Sequence, residues 1–124
     1  MNQSKGTIDY RDAAIVAAHL IFAYTALLLG GIAGLLQGLV RGFDISLPFG
    51  IGYYQLLTAH GVLMALIFTT FFIIGFLIAG CSRTMGGKLL PVTRSLTWAG
   101  FLLMGSGTIL GTVLILLDKA TVLY

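Results

Sequence analysis

The chain has 124 residues, of which 58% are hydrophobic and 9% are charged, whereas an ordinary soluble domain carries about 25% charged residues. This composition excludes a water-soluble globular protein. The net charge of +3 is small and scattered, so the chain lacks the basic surface that is typical of nucleic-acid-binding proteins.

Three apolar stretches separate the charged residues. No Asp, Glu, Lys or Arg occurs within 13–40, 45–82 or 95–117, and each stretch exceeds the roughly 20 residues that a helix needs to cross a bilayer. The first is also far longer than the apolar part of a secretory signal, which indicates a retained anchor. We therefore predict an all-α membrane protein with a single region, 1–124. Its three transmembrane helices are expected at about 13–40, 53–80 and 93–117.

The basic residues predict the orientation of these helices, because positively charged loops tend to stay on the cytoplasmic side. With a cytoplasmic amino terminus, Arg41 and Lys119 lie outside. The other five basic residues then lie on the cytoplasmic side: Lys5, Arg11, Arg83, Lys88 and Arg94. We therefore predict a cytoplasmic amino terminus, with Tyr53 at the outer interface, where aromatic side chains are enriched.

Small residues recur at every fourth position of the first helix. They are Ala26, Gly30, Gly34, Gly38 and Gly42. This pattern is typical of close helix packing, but the same groove would also admit a wide, flat ligand. In the third helix we expect Gly100, Gly107 and Gly111 to pack against a neighbour.

Two histidines, His19 and His60, fall inside the predicted helices. Ionisable groups are costly in a bilayer and by default mark a site. Counted from opposite surfaces they lie about 9 and 10 Å deep, so in a core of about 30 Å their levels differ by about 10 Å. We therefore expect that they do not bind one iron together. His19 is interpreted as a hydrogen-bonded histidine of the bundle, whereas for His60 packing and metal or haem ligation both stay open.

The neighbours of His60 leave space beside its ring. Tyr53, Leu57, His60 and Met64 share one helical face, and Gly61 has no side chain that would crowd a macrocycle. The same residues also suit a packed apolar stripe. All five are candidate cofactor-binding residues, with His60 as the candidate metal ligand.

The glycine stripe of the first helix is level with His60 when both are counted inward from the outer helix ends. Gly34, Gln37, Gly38 and Arg41 share one face of that helix. These residues predict a slot for a haem that directs its carboxylates toward Arg41. Gln37 can equally hydrogen-bond another helix, and Arg41 can equally be an ordinary interfacial charge.

The sequence YYQLLTAHGVLMALIFTTFF, Tyr53–Phe72, resembles the second transmembrane helix of subunit I of the haem-copper oxidases, whose histidine binds the low-spin haem. The segment GGIAGLLQGLVRG, Gly30–Gly42, is similar to the end of the first helix of that subunit, particularly in B-type cytochrome c oxidases. The segment ATVLY, Ala120–Tyr124, is similar to the start of the loop after the third helix. Met64 stands where the B-type pattern often has Asn.

The resemblance implies part of a respiratory cytochrome c oxidase, a multi-pass protein in the inner (plasma) membrane of a prokaryote that couples electron transfer and oxygen reduction to proton transport. His60 would be one axial ligand of a low-spin, b-type haem, and the second ligand would come from outside this chain. Copper would bind in the missing part of the complex. The implied partners are the remainder of subunit I, subunit II, an electron donor such as cytochrome c, and the lipid bilayer.

The chain has three predicted helices, whereas subunit I of this family has about a dozen. It also lacks a trio of histidines for copper, since it contains two histidines in all. We therefore expect a fragment, or one piece of a split subunit, that belongs to a larger haem-copper oxidase helical bundle. Two alternatives stay open: a nitric oxide reductase-like subunit of the same fold, and a cofactor-free three-helix assembly subunit.

Overall fold

The computed structural model describes residues 7–120, and it confirms an all-α protein with three helices long and apolar enough to cross a membrane. The first is α1, Tyr10–Phe43; the second span is Tyr53–Thr84; the third is α4, Pro91–Leu116. Each end lies within four residues of its expected position.

The second span is not one regular α-helix. α2, Tyr53–Gly61, passes into a π-helical segment, Val62–Phe68, which continues as α3, Thr69–Thr84. In a π-helix each N–H bonds to the carbonyl five residues earlier; such segments are rare and are found frequently at functional sites. At the end of the segment the hydroxyl of Thr69 donates to the carbonyl oxygen of Ala65. The π-helical segment thus begins two residues after the candidate histidine, His60.

Local sequence signals set the ends of the helices. The carboxylate of Asp9 accepts a hydrogen bond from the N–H of Arg11 at 2.9 Å and caps α1. α1 ends at Phe43 and is followed by its C-cap, Asp44, whose φ of 52° is the left-handed conformation that Asp tolerates better than most residues. Pro91 begins α4, where its missing N–H costs no hydrogen bond. The connection from α1 to α2 contains a short 3-10 turn, Pro48–Gly50.

α1 lies against both other spans. A Cβ at Gly75 of α3 would lie 3.1 Å from Cβ of His19 in α1. A Cβ at Gly105 of α4 would lie 3.7 Å from the ring of Phe22 in α1. Near the carboxyl-terminal end of α1, one apolar cluster joins all three spans: Ala33, Leu56, Ala59 and Ile115. Because apolar attraction is weak in lipid, close van der Waals contact of this kind holds the helices together.

The glycine stripe of α1 is closely packed over part of its length. A Cβ at Gly30 would come within 2.6 Å of Cγ of Met64, and one at Gly34 within 2.6 Å of Nδ1 of His60. At Gly38 a Cβ would meet no atom within 4 Å in the described part of the chain. Close packing therefore accounts for Gly30 and Gly34 and ends before Gly38.

Three glycines of α4 that the sequence predicts to pack against a neighbouring helix have no close neighbour in the described part of the chain. Within residues 7–120, a Cβ at Gly100, Gly107 or Gly111 would meet no atom within 4 Å, so the prediction that they pack against a neighbouring helix is wrong there. The face of α4 that meets α1 instead carries Phe101 and Gly105, one helical turn apart. Glycine spacing alone does not reveal which face of a helix meets its neighbour.

Two features used in the sequence analysis fall outside the described residues. They are Lys5, which counts toward the orientation, and residues 121–124, which form most of the segment that is similar to the loop after the third helix of the oxidases. The orientation in the membrane stays a prediction.

Candidate functional site

His60 lies near the end of α2 with its ring against the glycine face of α1. Its Nδ1 lies 2.8 Å from the carbonyl oxygen of Gly30. A Cβ at Gly34 would come within 2.6 Å of Nδ1 and 2.7 Å of Cε1 of His60, so the ring fits because residue 34 has no side chain. The predicted equal level of His60 and Gly34 is confirmed.

The hydrogen bond to Gly30 selects one of the two tautomers of a neutral His60 ring. A carbonyl oxygen only accepts, so Nδ1 carries the proton and Nε2 of the neutral ring keeps its lone pair. In this tautomer Nε2 is the ring nitrogen that can bind a metal. Metal-binding histidines are typically held in this way, with one ring nitrogen bound to a backbone carbonyl and the other directed at the metal.

Tyr53 and Arg41, two candidates from different helices, meet near the carboxyl-terminal end of the glycine stripe. Nη1 of Arg41 donates to the hydroxyl oxygen of Tyr53 at 3.1 Å, and the guanidinium carbon lies 5.3 Å from the centre of the Tyr53 ring. A cation over an aromatic face is attracted by the ring. No carboxylate pairs with Arg41 in the described part of the chain, so its charge is available to an anion.

The other candidates of the second span occupy different surroundings. Met64 lies against Gly30, as the 2.6 Å approach to its Cγ indicates. Leu57 is half-buried. Gly61 is exposed, and a Cβ there would meet nothing within 4 Å among residues 7–120. The side of the helix at Gly61 is therefore open, whereas Met64 helps to join the helices.

The candidates between Gly34 and Arg41 on α1 are Gln37 and Gly38. Oε1 of Gln37 is buried and has no hydrogen-bond partner in the described part of the chain. A buried polar atom without a partner is unusual and calls for an explanation. Gly38 lies next to Gln37 on the same face, and a Cβ there would meet no atom within 4 Å among residues 7–120. Residues 7–120 therefore supply neither a hydrogen-bond donor for Gln37 nor a packing partner for Gly38.

His19 is buried in the bundle, with 1% of its surface exposed. Its Nδ1 lies 2.9 Å from the carbonyl oxygen of Ile15, one turn earlier in α1. Its ring centre lies 4.9 Å from that of Phe101 and 5.8 Å from that of Phe71. The interpretation of His19 as a hydrogen-bonded histidine of the bundle is confirmed.

The two histidines lie at clearly different levels. On α1, His19 is fifteen residues from Gly34, the residue that contacts His60, which corresponds to about 22 Å. The expected difference of about 10 Å is too small. The reason is the length of α1, whose 34 residues extend about 51 Å, well beyond a hydrocarbon core of about 30 Å.

A buried polar cluster at the opposite end of the spans was missed by the sequence analysis. Asp12 is fully buried. One of its carboxylate oxygens accepts from the N–H of Leu89 at 2.6 Å and from the hydroxyl of Ser82 at 3.1 Å. The other accepts from Nε of Arg94 at 2.7 Å and lies 2.6 Å from its Nη2. The carboxylate thus joins α1, α3 and α4.

A sequence signal for this cluster exists. Asp12 is the last charge before the first apolar stretch, and Arg94 is the last before the third. Both flank membrane helices at the same end of the protein, so their opposite charges lie at a similar level. An acid and a base placed in this way tend to pair at the membrane boundary.

The described residues do not contain a metal site built from several side chains. No group of three or more His, Cys, Asp or Glu residues in that part of the chain is placed to hold a metal ion. A haem needs no such group, because its iron takes only axial ligands from the protein. The absence of such a group from the described residues therefore does not bear on haem binding by His60.

Comparison with known proteins gives the family. Residues 14–124 match the family model described as cytochrome c and quinol oxidase polypeptide I. The chain is 30% identical over 122 residues to cytochrome c oxidase subunit 1 of Thermus thermophilus, an alignment that covers 93% of this chain and 21% of that relative. No solved structure matches the chain significantly.

The chain spans about a fifth of the length of this curated relative, while the family match covers most of the first span and all of the other two. The chain therefore belongs to the cytochrome c and quinol oxidase polypeptide I family.

Proposed function

We propose that this chain is the low-spin haem-binding, amino-terminal part of subunit I of a respiratory haem-copper oxidase, with His60 as one axial ligand of the iron. The observation that carries the proposal is the hydrogen bond of 2.8 Å between Nδ1 of His60 and the carbonyl oxygen of Gly30. It holds the ring in the tautomer whose Nε2 can bind a metal.

The surroundings of His60 are compatible with a haem. Gly34 allows the ring to rest on α1, and Gly61 leaves the neighbouring position of α2 open. Arg41, held by Tyr53, provides a cation for the haem carboxylates at the end of the same face. Gln37 offers a buried acceptor that lacks a partner in the described part of the chain.

In this proposal the chain positions a cofactor and performs no bond chemistry. A low-spin haem supplies one-electron transfer, and the ligand identity and low polarity of the site set its potential. The second axial ligand, copper and the site of oxygen reduction belong to the remainder of subunit I. We further propose that the complete oxidase contains subunit II, takes its electrons from a cytochrome c and pumps protons. It would lie in the plasma membrane of a prokaryote.

The test is the His60→Ala variant of the assembled complex, compared with the native complex by optical and electron paramagnetic resonance spectroscopy. We expect the low-spin haem signal to disappear while the helical content stays unchanged. A normal low-spin signal in a folded variant would contradict the assignment and favour a cofactor-free assembly subunit. Consumption of nitric oxide instead of oxygen by the native complex would favour the nitric oxide reductase alternative.

A further inference from the structure

A groove runs between α1 and α3 on the half of the three-helix bundle that contains Asp12. It encloses about 400 Å³, within the range of about 300–1,000 Å³ that ligand pockets occupy. Leu20 and Tyr24 of α1 line one part of it, and Gly75, Ala79 and Gly80 of α3 line another. The small residues of α3 leave space that larger side chains would fill.

The groove is apolar along its length and ends at a cation. It reaches from Phe72 to Arg83 on α3, a distance of about 16 Å along the helix. This is close to half of a hydrocarbon core of about 30 Å, so the groove has the length of one bilayer leaflet. When Phe72 lies at the midplane of the bilayer, Arg83 therefore lies at the level of the lipid headgroups.

The charge at this end of the protein favours an anion. The side chain of Arg83 is exposed, and no carboxylate pairs with it in the described part of the chain. The nearby carboxylates of Asp9 and Asp12 both lie within 4 Å of Arg94. Lys88 is exposed as well. Clusters of cations beside a membrane helix attract anionic lipids.

We propose that the groove binds one anionic phospholipid, with an acyl chain between α1 and α3 and the phosphate paired with Arg83. The apolar groove has the length of one leaflet and suits the acyl chain. Arg83, which has no carboxylate partner in the described part of the chain, suits the phosphate. This inference is independent of the haem proposal, because His60 lies near the other end of the spans.

The test counts lipids on the purified complex that contains this chain, after equilibration with vesicles of equal parts phosphatidylglycerol and phosphatidylcholine. Native mass spectrometry reports the lipids that remain bound. We expect Arg83→Gln to bind phosphatidylglycerol about fivefold more weakly at one site, the effect of one cation near a charged surface. Gly80→Leu should displace the same lipid by filling the groove, since a Cβ there meets no atom within 4 Å in residues 7–120.

Two matched controls separate this site from general attraction. Arg11→Gln removes another exposed cation of the same end, and Gly100→Leu adds the same bulk on α4, where a Cβ also has free space among the described residues. Neither should change the number of bound phosphatidylglycerol molecules. The proposal would be overturned if Arg11→Gln lost as much bound phosphatidylglycerol as Arg83→Gln, or if Arg83→Gln bound as much as the native complex. It would also be overturned if the native complex retained phosphatidylcholine as well as phosphatidylglycerol.

Discussion

The imidazole of His60 rests on Gly34 so closely that a Cβ at Gly34 would come within 2.6 Å of Nδ1. The same nitrogen lies 2.8 Å from the carbonyl oxygen of Gly30. The glycine face of α1 thus serves two purposes at once: it lets the helices approach, and it orients the histidine.

Gly34→Ala should displace the His60 ring, because the added methyl group would overlap two of its atoms. We expect a large loss of low-spin haem signal in the assembled complex, measured by optical spectroscopy at equal protein concentration. Gly31→Ala is the matched control, since it adds the same methyl group to α1 outside the candidate residues and a Cβ there meets no atom within 4 Å in the described part of the chain. Equal haem content in both variants would indicate that Gly34 serves helix packing alone.

His19→Leu should retain the low-spin haem. His19 lies about 22 Å from the level of His60 along α1 and is enclosed by Phe71 and Phe101. Leucine loses the hydrogen bond to Ile15 but still fills the apolar site, so we expect a modest drop in thermal stability in detergent. Loss of the haem signal from a folded His19→Leu complex would contradict the separation of the two levels.

Arg41→Gln should lower the midpoint potential of the haem that we propose. A nearby cation favours the reduced form, which carries one more negative charge, so its removal favours the oxidised form. Because Arg41 is exposed, screening limits the shift to about 10–40 mV. Redox titration measures it, with Arg83→Gln at the opposite end of the spans as the control. An increase in the midpoint potential, or the same decrease in Arg83→Gln, would argue against the proposal that the haem carboxylates lie beside Arg41.

Asp12→Asn should destabilise the bundle without changing the haem spectrum. The neutral amide weakens the pairing with Arg94 and the hydrogen bonds from Leu89 and Ser82. Hydrogen bonds to a charged group contribute about 1.5–3 kcal/mol each, so a loss of about that size is expected in thermal or denaturant unfolding.

The control for Asp12→Asn is Asp44→Asn, at an exposed position where Asn adopts the left-handed conformation as readily as Asp. The double variant Asp12→Asn with Arg94→Gln should cost less than the sum of the two single variants, because each already breaks the pair. Strict additivity would show that the two side chains do not stabilise one another.

The sequence alone was sufficient for the three spans and the family resemblance, whereas the role of His60 as a metal ligand stays a prediction. Uninterrupted apolar stretches long enough to cross a bilayer have few alternatives to helices, since the backbone must satisfy its own hydrogen bonds in lipid. The equal level of His60 and Gly34 also followed from counting residues along helices of known rise.

Tertiary structure decided everything that depends on which faces meet. Three contacts depend on how each helix is rotated about its own axis relative to its neighbour. They are the contact of His60 with Gly34, the packing of Gly105 and not Gly107 against α1, and the pairing of Asp12 with Arg94. A periodic pattern places a residue on a face but leaves that rotation open, and the π-helical segment Val62–Phe68 changes it further within the second span. Side-chain volumes and hydrogen bonds between helices that are distant in sequence set the rotation, so they become visible only when all three spans are assembled.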